Sequence, residues 1–273
     1  MISTKFKNKT VIITGASAGV GAACARTFAS LGANLVLVAR GQQGLDTIAA
    51  ELESKTKILT VAMDVSSTED CASLMEKAMA KFGAIHTLIN NAGLHYRGEF
   101  KTRTPKEVIA MVDVDLRAPL QLTAEALPYI LKSGSGAIVM IGSLAGRAPL
   151  QGAATYSATK AGLRAFAYAL ADELRESNIS VGVVSPGPID TGFIMDEIDK
   201  VEDIVYSQPM SSAQQVADVV VRLAQGESVE IAMPWFSGKL TTIGYLFPIF
   251  RRLSRGLLYK IGRKNKDKYR QRK

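Results

Sequence analysis

The sequence predicts an α/β protein built on a parallel sheet with helices on both faces, and three observations carry that prediction. Short apolar runs alternate with amphipathic stretches along most of the chain. Those runs are nearly continuous rather than alternating, as in strands buried on two sides. A glycine-rich turn follows the first run directly, where such sheets hold ligands at the carboxyl ends of their strands. The 273 residues, 47% apolar and 21% charged, suffice for one domain with its own core.

Strand-like runs fall at 10–14, 34–39, 58–62, 87–90, 137–141, 180–185 and 229–232. Helical periodicity covers 21–31, 68–82, 119–131, 156–176 and 213–224. This alternation implies a parallel sheet, with residues 1–238 as the main body and 239–273 as an extension. The N-terminal segment MISTKFKNKTVIITG carries no signal-like apolar stretch, and no window offers the ~20 apolar residues of a membrane span. Cys24 and Cys71 fall in helical patterns and read as free thiols. A cytoplasmic protein is expected.

The net charge of +8 is unevenly placed. Residues 239–273 hold 12 Lys and Arg against the single acid Asp267, whereas the body holds 21 basic and 24 acidic residues. The asymmetry points to an anionic partner of the tail, not to a nucleic-acid groove in the body.

After the first strand comes Thr14-Gly15-Ala16-Ser17-Ala18-Gly19-Val20-Gly21, spaced G-x-x-x-G-x-G and followed at once by a helix. Glycines permit the tight turn, and the helix N-terminus offers free N–H groups to a phosphate. Gly15, Ser17, Gly19, Val20 and Gly21 are therefore cofactor candidates. An acid at the end of the second strand would accept from a ribose hydroxyl, but Arg40 stands there and suits a 2′-phosphate. NADP(H) is favoured over NAD(H). Asp64 and Val65 follow strand three, where an adenine edge would lie. Asn90-Asn91-Ala92-Gly93 follows strand four, and Asn91 and Gly93 let the chain pass close to a ribose.

Tyr156 and Lys160 are four residues apart on a helical pattern and share a face. An ammonium and a positively charged nicotinamide would lower the phenol from its usual ~10. The phenol could then serve as general acid in reduction or general base in oxidation. Ser143, after the fifth strand, can hold a substrate oxygen. The Tyr/Lys spacing alone is weak, since Tyr269 and Lys273 repeat it. The order of glycine turn, Asn-Asn-Ala-Gly, serine and pair gives it force.

With residues 14–21, 90–93, Ser143, Tyr156, Lys160 and Pro186-Gly187-Pro188-Ile189-Asp190-Thr191, the chain resembles the classical short-chain dehydrogenase/reductase family. The resemblance implies a Rossmann-like, doubly wound sheet of about seven strands, a nicotinamide dinucleotide, and hydride transfer at a carbon–oxygen bond. It places Pro186, Ile189 and Thr191 along the nicotinamide, Lys160 on its ribose, and a substrate flap near 190–212. It also implies a homodimer or homotetramer through the helix of Tyr156, where Ala158, Ala161, Ala165 and Ala169 permit close approach. One position departs: Asp115 stands where the family usually has a catalytic asparagine, and an ionised carboxylate accepts but cannot donate.

No His/Cys/acid cluster has zinc spacing, so no metal is expected. His95 reads as a plain loop residue, with a place at the substrate mouth as the alternative. In the flap, Phe193, Ile194, Ile198, Val201, Ile204 and Val205 recur at near-helical spacing, a mild tilt toward an apolar substrate. In the tail, Phe250, Leu253, Leu257 and Ile261 form a stripe with Arg251, Arg252 and Arg255 off it, and Pro248 breaks the preceding apolar run. This is the pattern of a basic amphipathic helix able to lie on an anionic membrane surface. Packing on the body or on a second copy is the other reading; the apolar half disfavours nucleic acid. Residues 264–273 read as a free basic end. Three functions remain open: an NADP(H)-dependent reductase of an apolar, lipid-like carbonyl; a dehydrogenase of a soluble polyol, sugar or steroid; and a low-turnover NADP(H)-binding regulator.

Overall fold

The structure, a computed structural model, describes residues 4–271. Its centre is a seven-stranded, all-parallel sheet. The strands are β1 (Thr10–Thr14), β2 (Asn34–Ala39), β3 (Ile58–Ala62), β4 (Thr87–Asn90), β5 (Gly136–Ile141), β6 (Ile179–Pro186) and, after two short strands introduced below, β9 (Glu230–Met233). Their spatial order is β3-β2-β1-β4-β5-β6-β9. The order reverses between β1 and β4, which pair directly (Val11 with Thr87), so the ends of these two strands flank the crevice where such folds bind ligands.

Burial on both faces explains the continuous apolar runs. Within β1, Val11 and Ile13 face one core and Ile12 faces the other. The first core is closed by α1 (Gly19–Ser30), α2 (Gln42–Leu52) and α8 (Ala213–Ala224). The second is closed by α3 (Thr68–Phe82), α5 (Ala118–Lys132) and α6 (Ala154–Glu173). Caps set several of these limits. The Ser67 hydroxyl accepts from Asp70 N–H before α3, Gly83 ends α3 at φ 73°, and Ser212 with Gln215 forms a capping box on α8. Two elements have weaker sequence signals, α2 and the short α4 (Pro105–Val112).

The near-helical spacing of the flap does not make one helix. After β7 (Ile189–Asp190) come the four-residue α7 (Gly192–Met195) and two 3-10 turns, Ile198–Lys200 and Asp203–Ser207. β8 (Ser211–Ser212) then pairs with β7 and closes the segment. The apolar residues Ile194, Ile198, Val201 and Tyr206 pack on one another and on Tyr269, so most of them build the flap rather than line a substrate site. Phe193 is the exception and is exposed.

The tail forms α9 (Trp235–Leu246) and α10 (Pro248–Arg270), broken at Phe247 with Pro248 opening the second helix. The free basic end expected at 264–273 is not what the structure shows through Gln271. Lys266 is only 5% exposed, and its ammonium donates to Val201 O at 2.7 Å and to Asp203 Oδ1 at 3.2 Å. Three oxygens of the flap provide the solvation that water would otherwise supply, Asp199 O being the third. Lys273, half of the repeated Tyr/Lys spacing, lies outside the described residues. Among the described residues no helix is long and apolar enough to cross a membrane, and no group of three His, Cys, Asp or Glu could hold a metal ion.

Candidate active site

The glycine turn is a backbone cradle. Gly15 and Gly19 adopt φ 66° and 53°, a region that disfavours other residues. A Cβ on Gly21 would lie 2.1 Å from Gly15 O. Asn91 fastens the turn to β4, donating through Nδ2 to Thr14 O at 2.8 Å, while Thr14 Oγ1 accepts from Asn91 N–H and Ala92 N–H. α1 opens at Ala18 with no side-chain cap, which leaves the N–H groups of its first turn for a phosphate. Thr191 faces the same turn, its Cγ2 3.4 Å from where a Gly19 Cβ would be. The sequence-identified segments 14–21, 90–93 and 186–191 are thus brought together, and the cradle fits a dinucleotide. Ser17 lies under Gly44 at the start of α2. Arg40 is exposed at the carboxyl end of β2. Its charge reaches Asp64: burial pushes that carboxyl up, but two bonds from Ser66 and the Arg40 guanidinium outweigh burial and hold it below its ordinary value.

Tyr156 and Lys160 lie in the first turns of α6, beside the end of β5. The Lys160 ammonium donates to Ile141 O at 3.0 Å and sits 5.6 Å from the Tyr156 ring centre. Ser143 follows β5; its hydroxyl accepts from Ala145 N–H and interacts with the Tyr156 phenol. The electrostatics differ from the sequence expectation. Burial raises the phenol above its ordinary value, and Lys160, Ser143 and Arg97 oppose this without overcoming it; Asp115 adds to the rise. Lys160 alone therefore does not bring the tyrosine below its ordinary value.

Asp115 occupies a five-residue π turn, Asp113–Arg117, inserted between α4 and α5. It is 0% exposed. Oδ1 accepts from Leu94 N–H at 2.8 Å and lies 3.8 Å from Lys160 Nζ. Among the described residues Oδ2 is buried without a hydrogen-bond partner. Burial pushes the carboxyl up, partly offset by Lys160 and by the Leu94 bond.

Two further residues join the site. His95, read first as a plain loop residue, stacks on Tyr156 with ring centres 4.3 Å apart and planes 9° off parallel. Burial, reinforced by Arg97, Lys160 and Arg103, pushes it down to about 3, so the ring is neutral. Together with Tyr96, Phe100, Arg103, Met111 and Tyr156 it lines a small cleft. Arg97 ties this wall to the flap through Phe193 O at 2.6 Å and Glu197 at 3.4 Å. Glu230 was not singled out from sequence either. Its buried carboxylate binds Arg147, just beyond Ser143, and Arg164, four residues beyond Lys160, and accepts from Ser185 Oγ at 2.7 Å. It joins the segment after Ser143 to the helix that carries Tyr156 and Lys160. The sole local signal was an acid in a strand pattern, which carries no information about its partners.

A sheet of this order, with a glycine cradle at the switch point and a Ser/Tyr/Lys cluster beside it, is the frame of a nucleotide-dependent oxidoreductase class. The short chain dehydrogenase family model matches residues 9–202. The ketoacyl reductase HetN of Nostoc is 34% identical over 230 residues, covering 84% of this chain and 79% of its own. The Escherichia coli 3-oxoacyl-[acyl-carrier-protein] reductase FabG is 31% identical, covering 83% of this chain and 93% of its own. A metagenomic short-chain oxidoreductase solved with NADP is 31% identical with a TM-score of 0.71, over 84% of this chain and 98% of its own. The chain belongs to the classical short-chain dehydrogenase/reductase family and is an oxidoreductase of alcohol and carbonyl groups that uses a nicotinamide cofactor.

Proposed function

We propose that the protein is an NADP(H)-dependent reductase of an apolar, lipid-like carbonyl compound. The observation that carries this reading is the cluster of half-buried Ser143 and Tyr156 with buried Lys160 beside the glycine cradle, with Arg40 at the end of β2. When bound, the nicotinamide supplies or takes the hydride. Ser143 Oγ holds the substrate oxygen, and Tyr156 Oη gives that oxygen its proton in reduction. The Lys160 ammonium steadies the phenolate that remains and binds the ribose. Gly15, Ser17, Gly19, Val20 and Gly21 take the pyrophosphate, and Arg40 takes the 2′-phosphate. Asp64 and Val65 border the adenine, Asn91 and Gly93 a ribose, and Pro186, Ile189 and Thr191 the nicotinamide. Asp115 positions Lys160.

The apolar substrate is supported by the exposed aromatic rim of Tyr96, Phe100 and Phe193, and by two relatives whose names specify ketoacyl substrates. The exposed alanines 158, 161, 165 and 169 on α6 support a homodimer or homotetramer, to be read by sedimentation equilibrium. Two buried free cysteines support a cytoplasmic protein. Twelve Lys and Arg in residues 239–273 support contact with an anionic membrane surface.

NADPH oxidation with a panel of long-chain and soluble ketones tests the assignment. Tyr156→Phe is expected to bind NADPH as the wild type does and to lose turnover by about 1,000-fold or more, the scale of general acid catalysis. Turnover unchanged in that variant refutes the role. Binding of NADPH with no turnover on any substrate favours a regulator, and preference for soluble polyols, sugars or steroids moves the substrate class.

A further inference from the structure

α10 has two unlike faces. At 3.6 residues per turn, Tyr259, Arg263, Lys266 and Arg270 fall on one side, and Phe250, Leu253, Leu257 and Ile261 on the opposite side. The first side grips the flap. Tyr259 Oη donates to Glu202 at 3.1 Å, Arg263 and Lys266 both reach Asp203, and Arg270 reaches Asp199 at 2.6 Å. Gly262 meets the flap so closely that a Cβ there would lie 1.8 Å from Asp203 O. The flap in turn is tied by Arg97 to the wall that carries His95, which lies on Tyr156.

On the second side Phe250 meets the Phe247 ring edge-on, and the stripe is otherwise open to solvent among the described residues. Leu253 is 74% exposed and Leu257 62% exposed. On α9, Trp235, Leu240 and Ile243 are exposed as well. Exposed Lys260 borders the stripe, exposed Lys264 and Lys268 continue its line toward the helix end, and Asp267 is the one acid on the helix. An apolar stripe beside cations matches an anionic bilayer surface, into which the leucines insert while the cations meet headgroups. A second copy of the chain would bring the same positive charge against itself.

We propose that α10 couples lipid docking to the substrate flap: the anionic bilayer takes its outer face, and the docked helix holds residues 199–207 more firmly over the active site. This rests on the reading of residues 190–212 as the substrate flap and of the tail as a lipid-binding surface. The coupling follows from linkage. Lipid binds the helical form of residues 248–270, and that same helical form supplies the flap's partners, so occupancy of one face favours the contacts of the other.

The test uses the full chain and two vesicle types, phosphatidylcholine alone and phosphatidylcholine with phosphatidylglycerol in equal parts. Flotation measures docking, and hydrogen exchange of the amides in 199–207 measures the flap. The wild type is expected to float with the anionic vesicles, less so as salt rises, and its flap amides to exchange several-fold more slowly there. Leu253→Asp with Leu257→Asp is expected to cut partition about 100-fold or more and to abolish the slowing. Lys266→Met keeps the outer stripe, so it is expected to float while its flap no longer responds; Arg270→Gln, at an exposed ion pair, serves as the milder check. A chain that floats with no change in flap exchange, or with faster exchange, overturns the coupling and leaves the lipid surface standing. A chain that ignores both vesicles, or whose stripe variant splits a dimer instead, overturns both. Neither readout depends on turnover, so the assignment of NADPH chemistry stands or falls separately.

Discussion

Asp115→Asn isolates a charge with little change in shape. The amide keeps an oxygen to accept from Leu94 N–H, now at 2.8 Å, and removes a negative charge from a site with no solvent exposure. Two terms compete in the native protein. Oδ2 is buried without a partner, a loss of about 1–3 kcal/mol for a polar group and more when it is charged. Lys160 at 3.8 Å returns part of that cost. The carboxyl lies above its ordinary value, with burial the largest cause, so the charged form is net unfavourable here. The asparagine variant should therefore be more stable at neutral pH by about 1–3 kcal/mol. That corresponds to a rise in Tm of roughly 2–4 °C per kcal/mol in a protein of this size class. Because the folded carboxyl is raised above its unfolded value, the native protein is on par with the variant only below the unfolded value of about 3.9. The deficit opens as pH climbs toward the folded value and is constant above it. Urea unfolding of both proteins across acid to neutral pH measures this. A variant equal to or weaker than the native protein at neutral pH, or a gain that persists in acid, refutes the argument. Removing the charge also takes away one cause of the raised Tyr156 phenol, so the basic limb of kcat/KM for reduction should move to lower pH; an unmoved profile takes Asp115 out of the mechanism.

Other perturbations act on separate parts of the structure. Arg40→Ala should lower the preference for NADPH over NADH by about 10–100-fold, the loss of one charge-assisted contact, as read from the ratio of kcat/KM values. Gly21→Ala places a Cβ 2.1 Å from Gly15 O and 2.6 Å from Asn91 Nδ2, so calorimetry should show no NADPH binding and a loss of at least about 1–3 kcal/mol in stability. Glu230→Gln leaves Arg147 and Arg164 without their common carboxylate and should destabilise by about 3 kcal/mol at neutral pH. Burial pushes Glu230 up, but Arg164, Arg147 and Ser185 hold it at about 2, so its contribution is present above the unfolded value of about 4.3 and lost as pH falls toward 2. Equal acid midpoints for native and variant proteins would contradict this.

The sheet was legible because a strand buried on both faces leaves a one-dimensional mark. Val11, Ile12 and Ile13 must all be apolar whichever core each faces, and the run shows it. The glycine turn was legible for a similar reason, since Gly15 and Gly21 satisfy a backbone demand that no other residue meets. What the sequence hid was convergence. His95 became part of the site because the chain after β4 folds it onto Tyr156, 61 residues further on. Glu230 gained its partners from a loop, a helix and a neighbouring strand. Lys266 looked like any solvated tail cation, and its burial depends on three oxygens held in place by residues 199–203. In each case the local pattern is compatible with exposure, and the long-range contact decides.

The raised Tyr156 phenol bears on which protonation state the resting site holds. On the proposed roles, reduction needs a protonated phenol to meet a carbonyl oxygen, and oxidation needs a phenolate to take a proton from an alcohol. Burial disfavours the phenolate. Lys160, which favours it, is shared with Asp115 at 3.8 Å and with Ile141 O at 3.0 Å. The neutral His95 ring stacked on the phenol adds no charge. The protein by itself therefore keeps the proton on the tyrosine. The reduced cofactor lacks the nicotinamide's positive charge, so its binding leaves that preference in place, and the oxidised form works against it. On the proposed roles the resting site holds the acid form of Tyr156, and Asp115 is one of the groups that keep the proton there.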